Sequence, residues 1–261
     1  LQLDVQLPHE WQARAEVLAW YDFSYTIRGR RDFNAAVLDV YEWQVDSGEV
    51  YVSGPIAESF DLTVGRKIVN WGRSDTFRVV DVVNALDNKE PGLVDIEDLR
   101  RPQAMVKLDY QRGPWSGQFL VLAEHRYDRL PPPGSDFVPD IFAGGGLGGG
   151  VPIDDRSDFA EMPGFAAKID GRFSGWDFSL YGAYLDETTR TIDPLEPVPL
   201  AGLQTEANRY ALVGAAGNVT RGAFLVKAEI AYKMGLRTIR FRLDLTPPPP
   251  PPSPPELLNE E

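Results

Sequence analysis

The sequence predicts an all-β protein: an antiparallel, up-and-down (meander) transmembrane β-barrel, or a large part of one, with a short helical insert near 74–100. Three observations predict it. Apolar and polar residues alternate with period 2 along most of the chain. Short and long connections follow one another in order, as in outer-membrane barrels. The face opposite the apolar one carries charges of both signs.

The first strand begins near Gln12. Ala13, Ala15, Val17, Ala19, Tyr21, Phe23, Tyr25 and Ile27 share one face, and Gln12, Arg14, Glu16, Asp22, Ser24 and Thr26 the other, broken by Leu18 and Trp20. A helix would mix the two sets. Val37, Tyr41, Trp43 and Val45 give a second strand, and Glu49 to Ser53 a short one after "VDSG". Phe60, Leu62, Val64 and Ile68 mark a fourth.

Residues 73–102 interrupt the alternation with charge and valine. Phe77, Val80, Val83 and Leu86 have helical spacing, with Ser74 or Asp75 as N-cap. The valines oppose a helix, because β-branched residues prefer strands. The segment is expected to fold inward as a constriction or plug. Its candidate residues are Arg73, Asp75, Arg78, Asp81, Asp87, Asp95, Glu97, Asp98, Arg100 and Arg101.

Regular strands then resume around Ala104–Tyr110, Trp115–Tyr127, Phe165–Phe173, Trp176–Tyr184, Glu206–Gly217 and Phe224–Tyr232, with a last candidate at Ile239–Leu245. "RGP" at 112–114, Ser174-Gly175 and "NVTRG" at 218–222 are short turns. Residues 128–163 and 186–205 are long loops. A meander with this order gathers its long loops at one end.

Tyr110, Trp115, Phe173 and Trp176 flank the short turns, and Tyr127, Tyr184 and Tyr232 stand at the far ends. Trp115 to Tyr127 spans roughly 40 Å of strand, or roughly 28 Å across at a tilt of about 45°, close to an apolar band of about 25 Å. These seven are candidate membrane-girdle aromatics. Lys107, Asp109, Glu124, Arg126, Lys168, Asp170, Arg172, Lys227 and Glu229 are the candidate lumen lining. In a soluble β-protein the same charges would face water.

Composition narrows the function. Of 261 residues, 43% are hydrophobic, enough for a core, and the net charge of -13 argues against a nucleic-acid partner. No apolar run reaches the ~18 residues of a membrane helix, which leaves β-strand spans untouched. Without cysteine there is no disulfide, thiolate metal site or cysteine nucleophile. That fits cytoplasm and envelope alike. With no signal-peptide pattern at Leu1, a mature form or a fragment is expected.

"GRKIVNWG" followed by "SDTFRVVDVVNALDNKEPGLVDIEDLRRP" resembles the bacterial domain-of-unknown-function 1302 family, as does "LDVYEWQVDSGEVYVSG" upstream. The "EPGLVDIEDLR" continuation is the more specific part. The resemblance covers Val37 to about Tyr110 well and the later hairpins in type. It implies an outer-membrane β-barrel, without assigned catalytic residues, that handles a hydrophobic or lipid-like compound beside an envelope exporter. It also implies a partial chain, since members are longer. The Pro-rich tail 246–261 cannot join a ladder and is expected to be disordered.

Sharper chemistry finds little support. Gly144, Gly146 and Gly149 match G-x-G-x-x-G, but no strand–helix context surrounds them, so the reading is a loop. His9 and His125 are the only histidines, and His125 reads as an interfacial side chain near the rim. The acidic group at 95–98 lacks EF-hand spacing.

The expected function is non-catalytic passage or docking of a small or hydrophobic, lipid-like compound in the bacterial outer membrane. Outer-membrane lipid is a partner, no cofactor is needed, and an open pore would prefer cations. A soluble β-sandwich or half-barrel that binds a ligand is the alternative, and an envelope lipid hydrolase the third reading.

Overall fold

The computed structural model describes residues 1–73, 78–95, 98–132, 134–138, 158–189, 191–192, 205–206 and 208–236. Ten strands form one antiparallel sheet in the order of the chain: β1 (Gln2–Gln6), β2 (Gln12–Tyr21), β3 (Trp43–Ala57), β4 (Phe60–Lys67), β5 (Gln103–Arg112), β6 (Trp115–His125), β7 (Asp158–Phe173), β8 (Trp176–Asp186), β11 (Arg209–Arg221) and β12 (Phe224–Met234). Two short strands, β9 (Thr191–Ile192) and β10 (Thr205–Glu206), pair as a ribbon between β8 and β11. Among the described residues the sheet is open, with β1 and β12 at its edges.

The short connections are two-residue turns. Arg112 pairs Trp115, Phe173 pairs Trp176, and Arg221 pairs Phe224. Gly113 and Gly222 have φ of 59° and 61°, the left-handed backbone such turns require. The last turn thus lies at Gly222–Ala223, and Asn218 to Arg221 belong to β11. The strand ends joined by the long connections 22–42, 68–102, 126–157 and 187–208 all lie at the opposite end. The alternation of loop lengths therefore runs through the whole sheet.

The first two expected strands differ. The first strand stops at Tyr21, and Ser24–Arg28 forms a short helix, α1. The Asp22 carboxylate accepts the Ser24 N–H at 2.8 Å, a local bond that turns the backbone out of the strand. A second helix, α2 (Ala35–Tyr41), replaces the start of the expected second strand. Asn34 caps it by accepting the Val37 N–H at 2.8 Å. A local side-chain to backbone bond overrides the period-2 pattern at both places, a turn at Asp22 and a helix cap at Asn34.

"VDSG" is a bulge and not a turn. β3 runs unbroken through it, with Gly48 and Glu49 together opposing Glu16 of β2. A Cβ on Gly48 would stand 2.2 Å from a Glu16 carboxylate oxygen. The extra residue reverses the parity of β3, so Asp46 and Glu49 both face inward.

The expected helix near 74–100 does not form in the described residues 78–95 and 98–100, which are turns and isolated bridges. Side chains bind the backbone there in place of a helical ladder. Asn84 accepts the Val69 N–H at 2.8 Å and donates to the Arg101 carbonyl at 2.9 Å. Leu86 donates to Asp128 at 2.7 Å. β7 begins at Asp158, inside the expected 128–163 loop. Ser74, Asp75, Glu97, the 144–149 glycines, the Ile239–Leu245 strand and the 246–261 tail lie outside the described residues.

The core lies on the charged side of the sheet. Val69, Trp71, Val80 and Val83 of the insert pack with Met105, Leu120, Leu122, Ala166, Tyr181, Leu185, Tyr210, Leu212 and Ala216. Each wall residue has the inward parity of its strand. On the other face Phe119, Phe165, Ile169, Leu180, Val213, Val226 and Ile230 are exposed. Ile169 is 54% and Ile230 70% exposed.

Candidate functional site

The insert fills the inner side of the sheet as a plug in three layers. The middle layer is apolar. Val80 and Val83 are 0% and 2% exposed, and Trp71 is 1% exposed. The Trp71 indole donates to Gln118 at 2.8 Å, and the Tyr181 hydroxyl donates to the Trp71 carbonyl at 3.2 Å. The inward fold expected for this segment is what the structure has.

Toward the turn end lies a charged layer. Arg73 reaches across to Asp177 and Ser179 of β8 and stands 3.8 Å from Asp170 of β7. Lys168 pairs Asp170 at 3.1 Å. Lys107 pairs Asp109, whose other oxygen accepts from Gln118 at 2.9 Å. Glu229 of β12 accepts the Arg73 backbone N–H.

Toward the loop end lies the second charged layer. Glu124 receives Arg66 through two bonds of 3.0 and 2.7 Å, a bidentate pair. Asp46 lies between Arg126 at 3.6 Å and Arg129 at 3.4 Å, and Arg129 continues to Asp87 at 2.9 Å. Within the insert, Asp81 is held by Arg78 at 3.1 Å and Arg100 at 2.9 Å. Arg101 donates to the Tyr127 carbonyl at 2.7 Å.

The structure thus brings together Arg73, Arg78, Asp81, Asp87, Arg100 and Arg101 with Lys107, Asp109, Glu124, Arg126, Lys168, Asp170 and Glu229. It does not bring in Asp95 and Asp98, which are exposed on the outer limb of the insert. The Asp98 N–H donates to the Asp95 carbonyl at 2.9 Å. Arg172 and Lys227 share the inward parity but are exposed. Neither is covered by the insert.

The aromatic residues gather at the turn end. Phe173 stacks on Trp176 at 4.6 Å, Trp115 meets Phe173 edge-on at 6.0 Å, and Phe60 lies 5.1 Å from Tyr110. At the loop end Tyr184 and Tyr232 face outward within β8 and β12. Tyr127 lies past the end of β6, against His125 at 4.4 Å, so the measure from Trp115 to Tyr127 does not follow a strand. β6 ends at His125, opposite Asp158, the first residue of its partner β7, after a register shift between Leu122 and Glu124.

Sequence reasoning missed Asp46, Arg66, Asn84, Asp177, Ser179 and Tyr181. Asp177, Ser179 and Tyr181 were visible as the polar positions between Trp176, Phe178, Leu180 and Tyr184. Asp46 was visible by parity opposite Trp43 and Val45, whereas the bulge hid Glu49, the next inward carboxylate of the same strand.

The chain places one apolar face outward and seats its own charged, valine-rich insert on the other. A family model described as "Protein of unknown function (DUF1302)" matches residues 1–240. The chain belongs to the DUF1302 family. No curated protein matches it. In this DUF1302 chain the insert and both halves of the sheet fall within the matched region.

Proposed function

We propose that this DUF1302 chain forms wall and plug of an outer-membrane β-barrel that passes or docks a small or hydrophobic compound, without catalysis. The observation that carries the reading is the inverted sheet. Its outward face is apolar and exposed, and its inward face is charged and covered by the insert. A soluble sheet buries the apolar face, so this arrangement favours lipid outside and water or a plug inside. In lipid both edge strands need partners, so the working wall includes pairing at β1 and β12.

The plug is wedged by apolar contacts in the middle and ion pairs at both ends. Passage then requires the insert to shift, while docking needs only its loop-end surface. The full chain reconstituted into liposomes tests this. Expected are detergent-dependent solubility, a gel shift of the unheated protein and solute permeability that rises when the plug is loosened. Solubility without detergent would overturn the membrane reading, and unchanged permeability with a loosened plug the passage reading.

A further inference from the structure

At the loop end a cleft of about 340 Å³ opens between the first long connection, the insert and residues 134–137. Its walls are aromatic: Trp20 from β2, Tyr25, Phe33, Tyr41 and Phe137. Tyr25 and Phe33 pack edge-on at 4.8 Å, and Tyr41 and Phe137 lie 6.4 Å apart. Three carboxylates, Asp22, Glu90 and Asp136, line the same cleft, with Lys89 over Trp20 and Arg28 near Asp22 and Tyr25 as the basic groups around it among the described residues.

None of the three carboxylates has an ion-pair partner among the described residues. Asp22 and Asp136 are exposed and Glu90 half-buried, whereas the inward carboxylates Asp81, Asp87 and Glu124 are paired. Burial first, and then the charges of Asp22, Asp136 and Glu90, push the Tyr25 phenol above its ordinary value, against a smaller opposing effect of Arg28. The three are not close enough to share a metal ion. Separated negative charges around aromatic faces suit a larger, organic cation.

Ser135 supplies an independent observation. It is 8% exposed, lines the cleft, and its hydroxyl oxygen accepts no hydrogen bond. It lies beside the Tyr41 phenol and directs its own proton toward that oxygen, while the Tyr41 proton goes to the Lys89 carbonyl at 2.6 Å. Nothing donates to Ser135 Oγ, and a buried acceptor left open is costly. An incoming N–H group would satisfy it. The aromatic wall already accepts a cation on one side: Lys89 Nζ stands 4.1 Å over the Trp20 ring.

We propose that this cleft binds a protonated organic amine with an apolar body. The ammonium group sits among Asp22, Glu90 and Asp136, an N–H donates to Ser135 Oγ, and the apolar part lies against Tyr25, Phe33 and Phe137. The volume is in the range of small-molecule sites. The inference stands apart from passage, because a wall that transmits nothing would still bind.

The test uses the full chain folded in a neutral detergent, titrated calorimetrically with benzylammonium at pH 7 against protein-free micelles. Benzyl alcohol, similar in shape and uncharged, is the comparison. Saturable binding of benzylammonium is expected, with benzyl alcohol and the Asp22→Asn/Glu90→Gln/Asp136→Asn variant each weaker by about tenfold or more. Ser135→Ala is expected to weaken it a further few-fold. The gel shift of unheated protein reports folding. If the triple variant misfolds, Asp136→Asn alone, at an exposed position, carries the comparison with a several-fold loss expected. Equal binding of the alcohol, undiminished binding by the folded variant, or no saturable binding overturns the proposal. Permeability is read separately, so its loss or presence decides only the passage reading.

Discussion

Val80 of the insert rests on Gly214 of β11. A Cβ at Gly214 would stand 2.9 Å from Val80 Cγ1 and 3.1 Å from the Ile230 carbonyl. The bare backbone at this point is what lets the plug close against the wall. Gly214→Val should lift the insert, because added methyls in a close-packed contact cost about 1–3 kcal/mol. The expected result is a lower midpoint for loss of the gel shift and higher liposome permeability. Gly182→Ala is the control: a Cβ there meets nothing within 4 Å. Equal effects of the two changes would count against a seated plug.

Arg73 ties the turn end of the insert to β8. Its guanidinium meets Asp177 and Ser179 and lies near Asp170. The Arg73 and Asp177 side chains are 16% and 27% exposed, so water screens the pair in part. A double-mutant cycle of Arg73→Met and Asp177→Asn should give a coupling of about 1–2 kcal/mol, above a surface pair and below a buried one. The readout is the urea midpoint of the refolded protein in detergent. Additive single effects would mean that the contact does not hold the insert.

The strands from β4 onward were legible because their alternation is long and their turns carry glycine. The inner face was legible for the same reason, since parity alone assigns Lys107, Asp109, Lys168 and Asp170. What failed was local. Asp22 and Asn34 each redirect the backbone with one side-chain bond, and a period-2 count is blind to that. Gly48 hides a bulge that shifts every later inward position of β3. The insert was read correctly as inward but wrongly as helical. Its fold depends on Asn84 and Asp128, the second of them 44 residues beyond Asn84 and reached only through the tertiary structure. Leu18 and Trp20, which broke the first strand's pattern, are on its inward face, where Lys89 covers Trp20.

Alkaline pH should loosen the loop end through Tyr41. Burial pushes its phenol up to about 12 from an ordinary value of 10.0. The protonated form is the one favoured in the fold, so its contribution is complete below pH 10 and is lost as pH rises toward 12. Lys89, lowered by burial, acts the other way: its cost is present at neutral pH and disappears as pH approaches 10.5. Between 10.5 and 12 Tyr41 therefore dominates this corner. Tyr41→Phe should flatten the fall in thermal midpoint over that window and cost about 1 kcal/mol at pH 7 for the lost bond to the Lys89 carbonyl. An unchanged alkaline slope in Tyr41→Phe would exclude it as the titrating group.

An opened pore should prefer cations only mildly. The inner layers largely neutralise themselves, with Lys107 on Asp109, Lys168 on Asp170 and Arg66 on Glu124. The chain as a whole remains at -13, and unpaired luminal charge sets the local ion concentration. Reversal potentials across a salt gradient in the Gly214→Val protein should show a small cation preference. Clear anion selectivity would contradict the charge assignment.

Parity gives the most direct test of which face meets lipid. Ile169 and Lys168 are neighbours on β7, one exposed outward and one paired inward to Asp170. Phe119, Ala167 and Leu180 surround the outward position through the pairs Phe119↔Ala167 and Ile169↔Leu180. If that face lies in hydrocarbon, Ile169→Lys should cost about 2–4 kcal/mol near the middle of the band. In water the same change at a 54% exposed site would cost almost nothing. Refolding yield into lipid vesicles, compared with refolding into detergent, separates the two cases. Lys168→Leu should behave oppositely: it leaves lipid contacts intact and leaves Asp170 with the more distant Arg73 and the hydroxyls of Ser179 and Ser116, so its cost appears in detergent and vesicles alike. A lipid-specific loss for Ile169→Lys with an unspecific one for Lys168→Leu is the outcome an inverted sheet requires. Equal behaviour of the two variants in both media would place the apolar face in contact with something other than lipid.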